Sequence, residues 1–332
     1  MLYDKLDNSK VRCFLCAHRC EIGLAGFGIC GVRKNIDGAL NTLVYAEVIA
    51  ANVDPIEKKP LYHFLPASTS YSLATIGCNF KCGFCQNWQI SQSSKRTSAL
   101  PQKSRLMPEE AVKEAKSAGA RSISYTYTEP TIFFEYAYDT AKLAKSRSLK
   151  NVFVSNGFMT PEALETISPY LDAINIDLKS FSEGFYINVC KGKLAPVLAS
   201  IRLARKLDIW LEVTTLIIPG QNDSEQELSS IAEFIAGVGK DIPWHISRFH
   251  PDYKFLAQAP TSKQVLEKAK KIGESAGLRY VYPGNILEGF DTHCYSCSNV
   301  LLKRAYFDLT ENNITNGKCS FCGAVVDGVY ET

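Results

Sequence analysis

Three cysteines stand in the stretch SLATIGCNFKCGFCQNWQI, residues 72–90: Cys78, Cys82 and Cys85, with the spacing CxxxCxxC. They follow an apolar run, Tyr71 to Ile76, that reads as a buried strand ending in glycine. Three thiolates on one short loop are an incomplete ligand set. A cubane iron–sulfur cluster is held by cysteine thiolates on its four irons, so a three-cysteine loop leaves one iron open to an outside ligand. That open iron is where chemistry is expected. A structural zinc site or chance clustering of thiols fits less well, because zinc sites usually close with four ligands and this loop holds no His or Asp.

Two further cysteine sets flank the loop. Cys13, Cys16, Cys20 and Cys30 fall at CxxCxxxCx9C, with glycines at 23, 26, 28 and 31 that let the backbone turn tightly around an ion or cluster. This closed four-thiolate set accepts zinc or a second iron–sulfur cluster. His18 beside it reads as a surface or supporting residue rather than a ligand. Cys294, Cys297, Cys319 and Cys322 form paired CxxC knuckles of zinc-ribbon spacing. Zinc is the expected occupant, with VLLKRAYFDL and AVVDGVYE as the ribbon's short strands; a single iron or an auxiliary cluster is the alternative. Only Cys190 stands alone, and a lone cysteine is more often a small buried hydrophobe than a reactive thiol.

The composition frames these sites. The 332 residues are 46% hydrophobic and 21% charged, enough for a substantial core, and the net charge of +3 argues against a strongly electrostatic nucleic-acid binder. No apolar run approaches the roughly 20 residues that span a bilayer, and Met1 to Lys10 is too polar for a signal peptide, so a cytoplasmic, membrane-free protein is expected. Twelve cysteines in clusters within a large chain of this kind point to metal ligation rather than disulfides.

Positioning these residues falls to a βα repeat. From Tyr71 to about Pro283, apolar strand-like runs alternate with amphipathic helical ones, the signature of a parallel sheet. The expected helices start at Pro108, at about Thr131, at Pro161, at about Leu194, after the PGQND turn and within SKQVLEKAKKIGESAG. The expected fold is α/β, a partial (β/α)6 barrel over residues 68–290. A Cys-rich segment, 1–67, precedes it and a zinc-ribbon or rubredoxin-like module, 291–332, follows. LNTLVYAEVIAAN reads as a short strand pair, and VDPIEKKPLYHFLP as a rigid lead-in in which Pro55 and Pro60 oppose a regular helix. That lead-in either carries Asp54, Glu57, Lys58 and His63 towards the active site or is a solvated connector. In a parallel barrel the active site lies at the C-terminal ends of the strands. There the sequence places Thr128 and Glu129, Ser155 and Asn156, Asp177 and Lys179, then Glu212, Thr214 and Thr215, and finally His245, Ser247, Arg248 and His250.

CxxxCxxC, with Phe84 just before its last cysteine, resembles the radical S-adenosylmethionine superfamily. The resemblance implies a 4Fe-4S cluster whose open iron is chelated by the amino and carboxylate groups of S-adenosylmethionine. One electron then cleaves the sulfonium, and a 5'-deoxyadenosyl radical takes a hydrogen atom from the substrate. The opening cysteines, VDPIEKKPLYHFLP, TIGCNFKCGFCQNWQIS, YTEPT, NIDLKS and EGFDTHCYSC are similar to the branch related to pyruvate formate-lyase activases, specifically the AmmeMemoRadiSam system enzymes. The likeness covers nearly the whole chain. It implies cofactor-binding roles for Phe84 and Thr214, a place near the cofactor's amino group for Thr128 and Glu129, the ribose for Ser155 and Asn156, and the cofactor carboxylate or the substrate for Asp177 and Lys179. YTEP stands here where the family more usually has GGEP. The implied partners are S-adenosylmethionine, an electron donor such as ferredoxin or flavodoxin, and an unidentified protein, peptide or metabolite. Because strict activases typically lack both flanking cysteine sets, the activase substrate is not carried over. The rival readings are an RNA-modifying radical enzyme and a non-catalytic metal-binding scaffold.

Overall fold

The computed structural model describes residues 1–94, 104–286 and 290–330. Glu288 and Gly289 of the EGFDTHCYSC motif lie outside them. Eight strands form the central sheet: β1 (Ala50–Pro55), β2 (Thr69–Ala74), β3 (Ser122–Tyr125), β4 (Lys150–Ser155), β5 (Ala173–Asp177), β6 (Trp210–Ile217), β7 (Trp244–Arg248) and β8 (Val281–Gly284). Their spatial order is their chain order, from β1 at one edge to β8 at the other. Strands β2 to β8 are parallel, and β1 runs antiparallel to β2.

Parallel neighbours need crossover connections. Six helices supply them: α1 (Pro108–Ser117), α2 (Phe134–Ser146), α3 (Pro161–Ile167), α4 (Leu194–Lys206), α5 (Glu225–Val238) and α6 (Lys263–Ser275). The result is six βα units and a closing strand. Because β1 and β8 remain the two edges, the barrel is open on one side. Strands β3 and β5 are buried along nearly their whole length, as strands covered on both faces must be.

Local chemistry sets the helix starts. Pro108 opens α1, and the Glu110 carboxylate accepts the Met107 N–H at 3.0 Å. After the PGQND turn, Ser224 caps α5 by accepting the Glu227 N–H. Asn222 is buried and instead ties α5's entry to the β5 end, donating to the carbonyls of Lys179 (2.7 Å) and Leu216 (2.8 Å). The helix expected from Thr131 begins later, at Phe134. Residues Pro130–Phe133 form a 3-10 turn whose first N–H, on Thr131, is held by the Glu129 carboxylate.

The lead-in takes only one 3-10 turn, Ile56–Lys58, and then packs under the barrel. The N–H groups of Tyr62 and His63 donate to the Glu212 carboxylate at 3.0 and 2.8 Å, and Asn175 Nδ2 donates to the Pro60 carbonyl at 2.7 Å. The N-terminal residues form a three-stranded sheet (Tyr3–Lys5, Val11–Cys13, Glu21–Ile22) and a hairpin (Arg33–Ile36 with Ala39–Thr42). Their Val11, Leu15, Val32 and Val44 join Tyr71 and Leu73 in one buried cluster. LNTLVYAEVIAAN therefore splits, its start pairing locally and its end entering β1.

Towards the C-terminus, VLLKRAYFDL supplies a hairpin, Val300–Ala305 with Asp308–Asn312, beside a small core of Cys294, Leu301, Leu302, Cys319 and Val326. AVVDGVYE is not the strand expected of it. Its backbone serves the lead-in, with Val329 N–H donating to the His63 carbonyl at 2.7 Å and the Val329 carbonyl accepting from Leu65 N–H at 2.8 Å.

Candidate active site

A cavity of about 520 Å³ opens at the C-terminal ends of the barrel strands. Every residue expected to hold the cluster or the cofactor lines it: Cys78, Cys82, Phe84 and Cys85; Thr128 and Glu129; Ser155 and Asn156; Asp177 and Lys179; and Thr214. The loop after β2 carries the first group. Gly77 turns the chain there at φ +99°, where a side chain would meet Val32 Cγ1 at 2.8 Å. Motif residues brace the loop: Gly77 N–H donates to the Ile90 carbonyl at 2.9 Å, and Asn87 Nδ2 to the Tyr127 carbonyl at 2.9 Å. Burial pushes the Cys78 and Cys85 thiols up, while a hydrogen bond with Cys190 and then burial push up Cys82. Cys78 is also in electrostatic contact with both other thiols. Three neighbouring thiols of this kind, Cys82 buried and Cys78 and Cys85 half-buried, fit a cationic centre that displaces their protons.

The β3 end is a rigid acceptor site. Glu129 is buried and takes hydrogen bonds from Thr131 N–H (3.1 Å) and Oγ1 (2.6 Å), Ser155 Oγ (2.9 Å) and Asn156 N–H (2.8 Å). Its pKa is nonetheless raised, because burial outweighs these donors. Asn156 Nδ2 also donates to Asn79 Oδ1 at 2.7 Å, linking this wall to the cysteine loop. Thr128 Oγ1 donates to the Thr75 carbonyl at 2.9 Å, and Thr214 Oγ1 to Asn175 Oδ1 at 2.9 Å. Lys179 Nζ reaches Asp177 at 2.8 Å and lies 5.7 Å from the Phe84 ring centroid. Burial alone would lower the Lys179 pKa, but Asp177 with the Cys82 and Cys190 sulfurs outweighs it and holds the ammonium charged.

The remaining strand-end candidates divide. His245 and Ser247 face the cavity, as do Glu57 and Lys58 of the lead-in. Glu212 lies beneath, fully buried, accepting from Trp210 Nε1 at 3.0 Å and meeting His245 Nε2 at 2.6 Å. Thr215 is structural, accepting from Trp244 Nε1 and donating to the Leu178 carbonyl. Arg248 binds the Thr261 carbonyl, His250 meets Gln86 at an exposed position, and His63 sits in an aromatic cage against Tyr280 and Tyr282. Burial pushes His63 down to about 4, so it is neutral.

Sequence reasoning missed part of the wall. Tyr127 and Lys59 line the cavity, with Lys59 Nζ 4.6 Å from the Tyr127 ring centroid and both bound to Asp54 behind them. Asn285, Phe290, Tyr306 and Phe307 complete the rim. The last two form the turn of the C-terminal hairpin, and no periodicity marks them as cavity residues.

The other cysteine sets lie outside the cavity. In the tail, the ligand atoms of Cys294, Cys297, Cys319 and Cys322 all lie within 4.8 Å of one another, with Sγ pairs at 3.7 and 3.8 Å, close enough for a single tetrahedral ion. Asn299 donates through its backbone and Nδ2 to Cys297 Sγ and brings that thiol down to about 6. At the N-terminus, Cys16 is in electrostatic contact with Cys13, Cys20 and Cys30. His18 Nε2 lies 2.9 Å from the Asn79 carbonyl oxygen. Cys190 is fully buried.

Residues 73–234 match the model of the radical SAM superfamily. The chain is 42% identical to an uncharacterized protein of Methanocaldococcus jannaschii, across 98% of each chain. It is 23% identical to the pyruvate formate-lyase-activating enzyme of Staphylococcus epidermidis, over 54% of this chain and 74% of that one. Among solved structures, a radical SAM methyltransferase from Sphaerobacter thermophilus superposes with a TM-score of 0.53 at 15% identity, over 71% of each chain, a likeness of fold. Among the described residues, no helix is long and apolar enough to cross a membrane. The matched segment opens inside β2 and carries the three-cysteine loop, the Glu129 wall and the Asp177–Lys179 pair, and with the full-length relative it shows that this chain belongs to the radical SAM superfamily.

Proposed function

We propose that this chain holds a 4Fe-4S cluster on Cys78, Cys82 and Cys85, binds S-adenosylmethionine at the cluster's open iron, and cleaves it reductively to take a hydrogen atom from a substrate. One observation carries this reading: the three cysteines share a single cavity with polar residues from four successive strand ends. When bound, the cluster supplies one electron at low potential to the sulfonium. The chain's own residues bind and orient. Asp177 and Lys179 present a fixed ion pair to the methionyl carboxylate or to the substrate, Thr128 and the Glu129 wall receive the amino group, and Ser155 with Asn156 approach the ribose. Glu129 acts mainly through the groups it holds, since its oxygens are already engaged by Thr131, Ser155 and Asn156. Phe84 packs against Phe185 and Phe255 and excludes water beside the cluster.

The substrate enters past the opposite wall, where Lys58, Asn285, Phe290, Tyr306 and Phe307 offer aromatic surface with a few polar groups. That composition suits a peptide side chain or a metabolite with an apolar portion. In the tail, four converging thiols support a structural zinc that fixes this hairpin. The direct test is anaerobic reconstitution with iron and sulfide, then S-adenosylmethionine and dithionite, with 5'-deoxyadenosine as readout. Wild type is expected to form it and Cys82→Ala to form none; equal yields from both would sink the assignment.

A further inference from the structure

The four N-terminal cysteines gather against the back of the cluster loop, a position the cavity does not explain. Cys13 ends a strand and its N–H donates to the Cys20 carbonyl at 3.0 Å; Cys30 sits in the turn closed by Gly31 N–H to the Gly28 carbonyl at 2.9 Å. Beside them lies Arg33, buried, paired with Glu135 and in electrostatic contact with Cys13 and Cys30. Among the described residues, its Nε–H has no hydrogen-bond partner. A buried donor left unmade is costly. Four thiolates around a metal centre carry net negative charge and sulfur acceptors, which is what an orphaned guanidinium N–H lacks here.

The contacts of this set run to the cluster loop itself. A side chain at Gly77 would meet the Cys30 carbonyl oxygen at 3.2 Å, so the two backbones pass close to one another with no room for a side chain between them, and Gly77 is bonded to Cys78. His18 Nε2 lies 2.9 Å from the Asn79 carbonyl, and Ala17 N–H donates to the Phe158 carbonyl at 3.1 Å, two residues beyond Asn156. Thus Cys30 of one set lies beside the glycine that precedes Cys78 of the other. Cys16 and Cys20 are half-buried, so the set also reaches the surface. Structural zinc has no redox chemistry and would serve equally well anywhere in the segment.

We infer that Cys13, Cys16, Cys20 and Cys30 hold a second iron–sulfur cluster that passes single electrons to the cluster on Cys78, Cys82 and Cys85. This rests on the function proposed above. A one-electron carrier of the ferredoxin or flavodoxin class is oxidised as it reduces the N-terminal cluster, which is reoxidised in turn as it reduces the second. That electron breaks the C5'–S bond of the sulfonium, giving methionine and the 5'-deoxyadenosyl radical, one electron per cleavage. Arg33 is a positioning residue for the N-terminal cluster.

The test uses the full chain, purified anaerobically, with iron, sulfide and zinc counted and the reduced protein examined by electron paramagnetic resonance. Two reduced signals are expected, only one of them changed by S-adenosylmethionine. In Cys20→Ala, iron should fall by about half and the insensitive signal should vanish, while 5'-deoxyadenosine driven by reduced flavodoxin drops to background and the dithionite-driven reaction persists. Cys20 is half-buried, and survival of the sensitive signal shows that the variant is folded. Zinc in both four-cysteine sets of the wild type, or a single reduced signal, overturns the inference whatever the variant does. Failure of the underlying reading looks different: wild type with full iron and dithionite makes no 5'-deoxyadenosine at all.

Discussion

Tyr127 holds a left-handed backbone, φ +60°, at the position where the family more usually has the first glycine of GGEP. Such a conformation costs a bulky residue on the order of 1–3 kcal/mol. Its hydroxyl donates to Asp54, a charged acceptor, for about 1.5–3 kcal/mol, and Lys59 over its ring adds up to about 2 kcal/mol. The contacts outweigh the strain, so Tyr127→Gly should lower the urea midpoint despite relieving the backbone; a higher midpoint would show the strain dominates. Lys59 itself is pushed down to about 8 by burial, against the pull of Asp54. Between about pH 8 and pH 10, where an unfolded lysine still holds its proton, the unfolded chain binds more protons than the folded one. Stability from this group therefore rises across that window and is lost as pH falls through 8. Wild type should gain on Lys59→Met in thermal midpoint between pH 7.5 and pH 9.5; a constant difference would refute the assignment. Neither residue was legible as part of the site, because Tyr127 meets Asp54 and Lys59 only through the fold. Cys78, Glu129, Ser155, Asp177 and Thr214 were legible because each sits on or just after a strand whose direction the βα alternation fixes.

At the scale of elements, the turn into the cluster loop is the most constrained. Ala at Gly77 would keep φ +99° and press against Val32 Cγ1 and the Cys30 carbonyl, one a side chain and the other backbone. Gly77→Ala is expected to cost on the order of 1–3 kcal/mol and to lower the iron retained after desalting. Unchanged iron and midpoint would mean the loop tolerates a different path. Helix positions were readable from the chain to within a few residues because prolines and capping side chains mark them, as Pro108 and Ser224 do. The exception, the late start of α2, arises because Glu129 is engaged from both sides, by the turn it caps and by β4. The misread strand in AVVDGVYE has the same origin: Val329 pairs with a lead-in some 265 positions earlier in the chain, through Leu65 and His63.

At the scale of the whole molecule, lead-in and tail fill the flank that an open barrel leaves. Arg304 joins them, buried, donating to the carbonyls of Tyr62 (2.8 Å) and Phe290 (2.9 Å) and to Thr292 Oγ1 (2.8 Å), with Glu57 at 3.8 Å. Removing one partner of a buried ion pair typically costs about 3–5 kcal/mol, so Arg304→Met should unfold at markedly lower urea, and a loss below about 1 kcal/mol would place the linkage elsewhere. If the tail cysteines hold the proposed zinc, chelating it should loosen the same hairpin and with it Tyr306 and Phe307 at the cavity rim, seen as faster amide hydrogen exchange there. The cysteine spacing made the tail's four-thiol cluster legible. Its contribution of two aromatic residues to the cavity was not, because that depends on how the module docks.

The proposed function requires one iron of the Cys78–Cys82–Cys85 cluster to be open to S-adenosylmethionine. The most direct measurement is the electron paramagnetic resonance spectrum of the anaerobically reduced protein before and after the cofactor is added. A signal that shifts on addition, absent in Cys82→Ala, is the predicted result. A fully loaded cluster whose spectrum does not respond to S-adenosylmethionine would contradict it.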